Sequence, residues 1–271
     1  MVDRGQGTVA RGARQIGWRR VGGGAPLVLL NGYAATAADW DPGFLDALSA
    51  PFELVLIDHR GMGTSSWGDD AELLTIEAMA ADVVAVLDAL GLARVPVVGW
   101  SMGGFVAQAL AAGAPDRVQA MGLLGTDPGG PGAVLADPEV WAQLTDTSGS
   151  AREQATRLLQ VLFPAALAAE LDEQVGALVA DGRAALDHHV LRAQEAAMAA
   201  WHRNEPVALG DRPPTLVAAG RLDAVIPPAN AALLAERWHA PAPTLYDGGG
   251  HAFMAQVPQE LAAELIDHLA H

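Results

Sequence analysis

Apolar residues fall into short runs that alternate with longer amphipathic stretches. Over 6–21, Thr8, Ala10, Ile16, Trp18 and Val21 alternate weakly with polar neighbours. That period predicts two short antiparallel strands at a sheet edge, followed by the turn Gly22-Gly23-Gly24. Pro26-Leu27-Val28-Leu29-Leu30 predicts a buried strand that runs into Asn31-Gly32-Tyr33-Ala34. Phe44, Leu45 and Leu48 then keep helical spacing. Phe52-Glu53-Leu54-Val55-Leu56-Ile57-Asp58 is apolar almost throughout, as suits a parallel strand covered on both faces. Ile76, Met79, Ala80, Val83, Leu87 and Leu90 recur every three or four residues and mark an amphipathic helix, with Gly91 placed to cap it. A strand from Val95, a tight turn and a helix to about Ala112 follow, then a strand over 118–125.

The rhythm changes at Thr126. Asp127-Pro128-Gly129-Gly130-Pro131-Gly132 reads as a loop, and 138–205 as several helices with no strand candidate. Leu158, Leu159, Leu162 and Phe163 form one apolar face, and Leu171, Val175, Leu178 and Val179 another. Strand pattern returns at Thr215-Leu216-Val217-Ala218-Ala219-Gly220. A helix is expected over 229–239, a short strand at Thr244-Leu245-Tyr246, and a last helix from Pro258 to the chain end. Strands alternating with helices imply a mostly parallel sheet with right-handed crossovers. The helical stretch between two such units predicts a lid over the C-terminal edge of the sheet, where open α/β sheets bind ligands.

Composition narrows the chemistry. With 51% hydrophobic residues in a 271-residue chain, a large core is available. The formal charge of −16 disfavours nucleic acid and anionic membrane surfaces as partners. The chain has no cysteine, which excludes disulfides, thiolate catalysis and thiolate-ligated metals. It also has no lysine, which excludes a Schiff base and a P-loop. The first residues lack an apolar signal core, and no apolar run is long enough to span a bilayer, so the cytoplasm is the expected location.

The sharpest motif is Gly99-Trp100-Ser101-Met102-Gly103-Gly104, set between a β-branched run and a helical pattern. Gly-x-Ser-x-Gly in that setting predicts a nucleophile elbow, in which strand and helix pass too closely for side chains on the flanking glycines. Ser101 would then project from the sheet beside a helix N-terminus, which favours developing negative charge. A serine nucleophile needs a base, and the base needs a carboxylate. Asp223 follows one strand and His251 follows the last, in the chain order Ser101, Asp223, His251. Asp127, also just past a strand, is a weaker candidate for the acid. The Gly61-x-Gly63 pair lacks the third glycine and the helix of a dinucleotide loop. Adjacent His188 and His189 point apart on a helix, so no metal is expected.

In combination these motifs resemble the α/β-hydrolases of the lid-bearing kind, a family that includes esterases, C–C bond hydrolases and cofactor-free haloperoxidases. The shared pieces are Asn31-Gly32, Asp58-x-Arg60-Gly61-x-Gly63-x-Ser65, Gly99-x-Ser101-x-Gly103-Gly104, Gly220-x-x-Asp223-x-x-x-Pro227 and Gly250-His251, spread over about 14–271. The resemblance implies a mostly parallel eight-stranded sheet flanked by helices, with a lid inserted after the sixth strand. The core domain would comprise 1–126 and 211–271, and the lid 127–210. It further implies an oxyanion hole from the backbone N–H groups of Tyr33 and Met102, and structural rather than catalytic roles for Asp58 and Arg60. The family usually carries His-Gly where this chain has Asn31-Gly32, so the backbone donor survives but the titratable side chain does not.

The expected activity is hydrolysis of a small or medium, largely apolar ester, thioester or lactone through an acyl-enzyme, without a cofactor. C–C bond hydrolysis, perhydrolysis or haloperoxidation, a tailoring reaction such as cyclisation or acyl transfer, and a non-catalytic receptor are the alternatives. Gly32, Tyr33, Trp100, Trp141, Trp201 and Phe253 are the candidate substrate-binding residues. A small molecule is the expected partner, and monomer and homodimer both stand.

Overall fold

The computed structural model describes residues 1–68, 73–206 and 208–270. One sheet holds eight strands in the order β1-β2-β4-β3-β5-β6-β7-β8. They are β1 (Asp3–Arg11), β2 (Arg14–Gly22), β3 (Ala25–Leu30), β4 (Phe52–Ile57), β5 (Val95–Trp100), β6 (Val118–Leu124), β7 (Thr215–Gly220) and β8 (Thr244–Tyr246). β1 pairs with β2, and β2 with β4, in antiparallel register. Every other pairing is parallel. The weakly alternating N-terminal stretch thus forms the edge hairpin, and the continuous apolar runs form the interior strands.

Strand alternation feeds two cores, one on each face. Val28, Leu30, Val55 and Ile57 face one core, with α2 (Ile76–Ala89), α3 (Met102–Gly113) and α8 (Ala229–Trp238) packed on it. Leu27, Leu29, Leu54 and Leu56 face the other, covered by α1 (Pro42–Leu48) and α9 (Pro258–Leu269). α2 ends as expected, with Leu90 as its C-cap and Gly91 in the left-handed region at φ 67°. α9 ends at Leu269 with Ala270 as its cap, and His271 lies outside the described residues.

Between β6 and β7 the chain forms α4 (Pro138–Thr145), α5 (Ala151–Leu162), α6 (Ala165–Ala184) and α7 (His188–Arg203). The described residues of this stretch contain no strand; Val207, inside the expected lid boundary, lies outside them. Side-chain caps start three of these helices: Asp137 for α4, Ser150 with Glu153 in a reciprocal box for α5, and Asp187 for α7. An Arg152–Asp172 ion pair ties α5 to α6. Several contacts to the rest of the molecule fall on loops after the strands. Gln194 accepts from the Ala34 amide at 3.0 Å, and Leu162 O accepts from the Ala252 amide at 3.2 Å. Trp201 stacks on Phe105 with ring centroids 5.5 Å apart. The helices therefore rest on the loops after β3 and β8 and on the start of α3. Among the described residues, no helix is long and apolar enough to cross a membrane.

Candidate active site

The turn from β5 to α3 sets the geometry. Ser101 adopts φ 56°, a left-handed conformation that a residue with a side chain holds only where its surroundings enforce it. They do so here by close packing. A Cβ on Gly99 would strike the Gly103 carbonyl, and one on Gly103 would strike the Leu30 carbonyl. One on Gly104 would strike the Thr126 side chain. The Ser101 amide donates to Leu124 O at 3.0 Å, and its carbonyl accepts from Thr126 Oγ1 at 2.8 Å. Both ends of the serine backbone are thus pinned to β6 and the residues after it.

Asp223 and His251 come together after β7 and β8. Asp223 Oδ2 lies 2.8 Å from His251 Nδ1, with the two residues 4% and 2% exposed. Asp223 Oδ1 accepts from the amides of Val225 at 2.9 Å and Ile226 at 2.8 Å, so the carboxylate is fixed at both oxygens. With Nδ1–H committed to a carboxylate, the imidazole presents Nε2 as its basic atom. Gly125, at φ 49°, leaves space beside this pair. A Cβ there would sit 3.3 Å from Asp223 Oδ2 and 3.6 Å from His251 Nδ1. Asp127 does not join this pair. It bonds His202 of α7 instead, Oδ2 to Nε2 at 2.9 Å.

Gly32 and Tyr33 run alongside the serine: a Cβ on Gly32 would lie 3.2 Å from Ser101 Cβ. Met102 opens α3, where first-turn N–H groups have no intrahelical acceptor. The Tyr33 hydroxyl donates to Glu195 Oε1 at 2.7 Å. Burial and this carboxylate hold the phenol well above its ordinary pKa, so it stays protonated. Asn31, 1% exposed, accepts at its carbonyl from His59 Nε2 at 3.0 Å. Its side-chain atoms find no hydrogen-bond partner among the described residues. Burial keeps His59 below its usual pKa, so it meets that carbonyl as a neutral donor.

A cavity of about 490 Å³ opens onto Ser101. Apolar groups dominate its wall, including Phe105, Leu144, Met198 and Ile226, and Tyr33 and Trp141 line it as well. Four other candidate binding residues do not line it. Gly32 contacts Ser101 from the adjoining loop. Trp100 turns into the core beside Trp40, with its indole N–H on the His251 carbonyl at 3.0 Å. It stands next to Ser101 in sequence but ends a strand, so its side chain belongs to the sheet face. Trp201 lies behind Phe105, and Phe253 stacks on Tyr246 with centroids 5.4 Å apart. Sequence reasoning missed Val134, Leu135 and Ala136, which reach the cavity from a loop without periodicity, and Arg203, which reaches it from the end of α7.

The remaining motif residues lie elsewhere. Asp58 accepts from the amides of Ala37 at 2.7 Å and Thr64 at 2.8 Å, tying two loops together. Arg60 is buried on Asp82, with two contacts at 3.0 Å. His189 packs edge-on to Trp67. Among the described residues, no group of His, Cys, Asp and Glu side chains has the arrangement of a metal site.

Comparison with known proteins agrees with this architecture. The model of the α/β-hydrolase fold family matches residues 25–256, and the chain belongs to that family. It is 32% identical over 240 residues to RutD of Azorhizobium caulinodans, provisionally named a carbamate hydrolase, with 88% of each chain covered. It is 29% identical over 260 residues to the pimeloyl-[acyl-carrier protein] methyl ester esterase of Aeromonas hydrophila, covering 92% of this chain and 96% of that one. The solved structure of a hydrolase from Pseudomonas aeruginosa superposes with a TM-score of 0.79 at 26% identity, with 99% of each chain covered.

Proposed function

We propose that the protein is a serine hydrolase that cleaves a largely apolar carboxylic ester through an acyl-enzyme. The observation that carries this reading is the buried 2.8 Å contact between Asp223 and His251 Nδ1, in a chain whose Ser101 holds a left-handed turn at the cavity wall. Ser101 Oγ attacks the carbonyl carbon while His251 Nε2 takes its proton, and Asp223 stabilises the imidazolium. The Tyr33 and Met102 amides hold the oxyanion, each such donor contributing about 3 kcal/mol in comparable enzymes. Collapse of the tetrahedral intermediate expels the alcohol, which takes the proton from His251. Water then repeats the sequence on the acyl-enzyme, and the acid is released. Residues 127–210 act as the lid that closes the cavity over Ser101.

The names of the two relatives described above point to a carbamate and to an acyl methyl ester. The apolar wall favours the ester, since a small polar carbamate would leave most of that surface without a partner. A chain-length series of p-nitrophenyl esters tests this. Turnover should rise with acyl length until the cavity is filled, and Ser101→Ala should abolish it. Turnover that persists in Ser101→Ala would refute the assignment.

A further inference from the structure

The cavity wall carries a polar construction that the reaction does not use. Asp127 is 2% exposed, and both of its carboxylate oxygens are committed. Oδ1 accepts from the Gly129 amide at 2.8 Å, and Oδ2 meets His202 Nε2 at 2.9 Å. Its carbonyl accepts from Gln108 Nε2 at 2.8 Å, so the backbone is held too. The His202 ring stands edge-on to Phe105, with centroids 5.5 Å apart at 80°. Phe105 follows Ser101 by four residues, about 6 Å along the helix. Arg203, the next residue, is exposed, also lines the cavity and makes no hydrogen bond or ion pair with the described residues.

Burying a carboxylate in an apolar wall costs stability unless it is fully paired, and here both oxygens are paired, which fixes the His202 ring in place. Its chemistry suits a ligand. With Nε2 given to Asp127, His202 keeps Nδ1 as its second polar atom. Arg203 brings a permanent positive charge to the same wall, in a protein whose formal charge is −16.

We propose that His202 and Arg203 form a carboxylate subsite, with Asp127 as the positioning residue that orients His202. The substrate is then an ester that carries a free carboxylate away from its scissile carbonyl. This deepens the hydrolase reading and rests on it. Arg203 supplies a planar pair of donors, while the apolar wall takes the hydrocarbon between the carboxylate and the ester.

Two anionic esters, each beside its neutral counterpart, test the subsite. p-Nitrophenyl hydrogen adipate places the carboxylate on the acyl side, and 4-carboxyphenyl butyrate places it on the leaving group. One of them should show a KM at least tenfold below its neutral counterpart. Arg203→Gln and His202→Gln should each reduce that ratio of anionic to neutral kcat/KM about tenfold, and Arg203→Lys should restore part of it. Two anionic esters that bind no better than neutral ones, or a preference that survives both substitutions, would overturn the subsite. Calorimetry of monomethyl adipate on the Ser101→Ala protein separates the two claims. Binding there that weakens tenfold when Arg203→Gln is added supports the subsite even if no ester is turned over. No binding to the Ser101→Ala protein counts against the subsite, whatever the hydrolase activity.

Discussion

The protein holds two aspartate–histidine pairs, and they are built differently. Asp223 and His251 stand on loops after β7 and β8, both almost fully buried, and the carboxylate meets Nδ1 at 2.8 Å. Asp127 and His202 join the loop after β6 to the end of α7, and the carboxylate meets Nε2 at 2.9 Å. The nitrogen chosen decides what is left over. Nε2 is the far atom of the ring, so a histidine anchored through Nδ1 extends its free nitrogen outward and can pass a proton. A histidine anchored through Nε2 keeps only the nitrogen nearer its own backbone, which suits holding a ligand in place. Elements also differ: the first pair stands on the sheet edge, whereas the second spans the sheet and the helical insertion. In the reading proposed above, the two pairs take separate roles, chemistry for one and recognition for the other.

The largest expected effect separates the pairs at the carboxylate. Asp223→Asn should lower kcat by about 10³–10⁴-fold with little change in KM, because the amide no longer stabilises the imidazolium or fixes its tautomer. Gly125→Ala comes next. Its Cβ would press on Asp223 Oδ2 at a positive φ, and kcat should fall roughly 10–100-fold, as small misplacements of reacting groups do. Asp127→Asn should act on KM, raising it about fivefold for a carboxylate-bearing ester, while kcat falls far less than in Asp223→Asn. Steady-state kinetics on one preparation of each variant reads all three.

The smallest effect uses a third buried histidine that bonds to a carbonyl instead of a carboxylate. Burial holds His59 below its ordinary value of 6.5, so below that pH the unfolded chain binds a proton the fold resists. Stability should therefore fall as pH drops below about 6.5, by at most about 1.4 kcal/mol per pH unit from this group, and be unaffected by it above that pH. Urea unfolding at pH 5.5 and 7.5 checks this. The drop should be about 1 kcal/mol smaller in His59→Gln, which keeps a donor near the Asn31 carbonyl.

Much of this was legible in the chain. The interior strands announced themselves because a strand buried on two faces has few polar positions to interrupt it, as 52–57 shows with Glu53 alone. The elbow was legible because its glycines serve a close backbone approach that leaves a fixed spacing in sequence. Asp223 and His251 were candidates for a similar reason: each follows a strand end by a few residues, so the fold carries them to one edge. The contacts of the helical insertion were hidden. Asp127 and His202 are 75 residues apart, and Tyr33 and Glu195 are 162 apart. Helical periodicity shows which face of α7 is apolar, but not which loop that face meets. Aromatic residues misled where sequence proximity stood in for direction, as with Trp100 next to Ser101 and Phe253 near His251.

Fluorophosphonate labelling of four proteins addresses the central claim most directly, since the reagent reports an activated serine whatever the substrate. The expected result is a single adduct on Ser101, lost in Ser101→Ala, and formed at least about a hundredfold faster in His202→Gln than in His251→Ala. Labelling that survives Ser101→Ala, or that His202→Gln suppresses more strongly than His251→Ala does, would contradict the assignment of chemistry to one pair and recognition to the other.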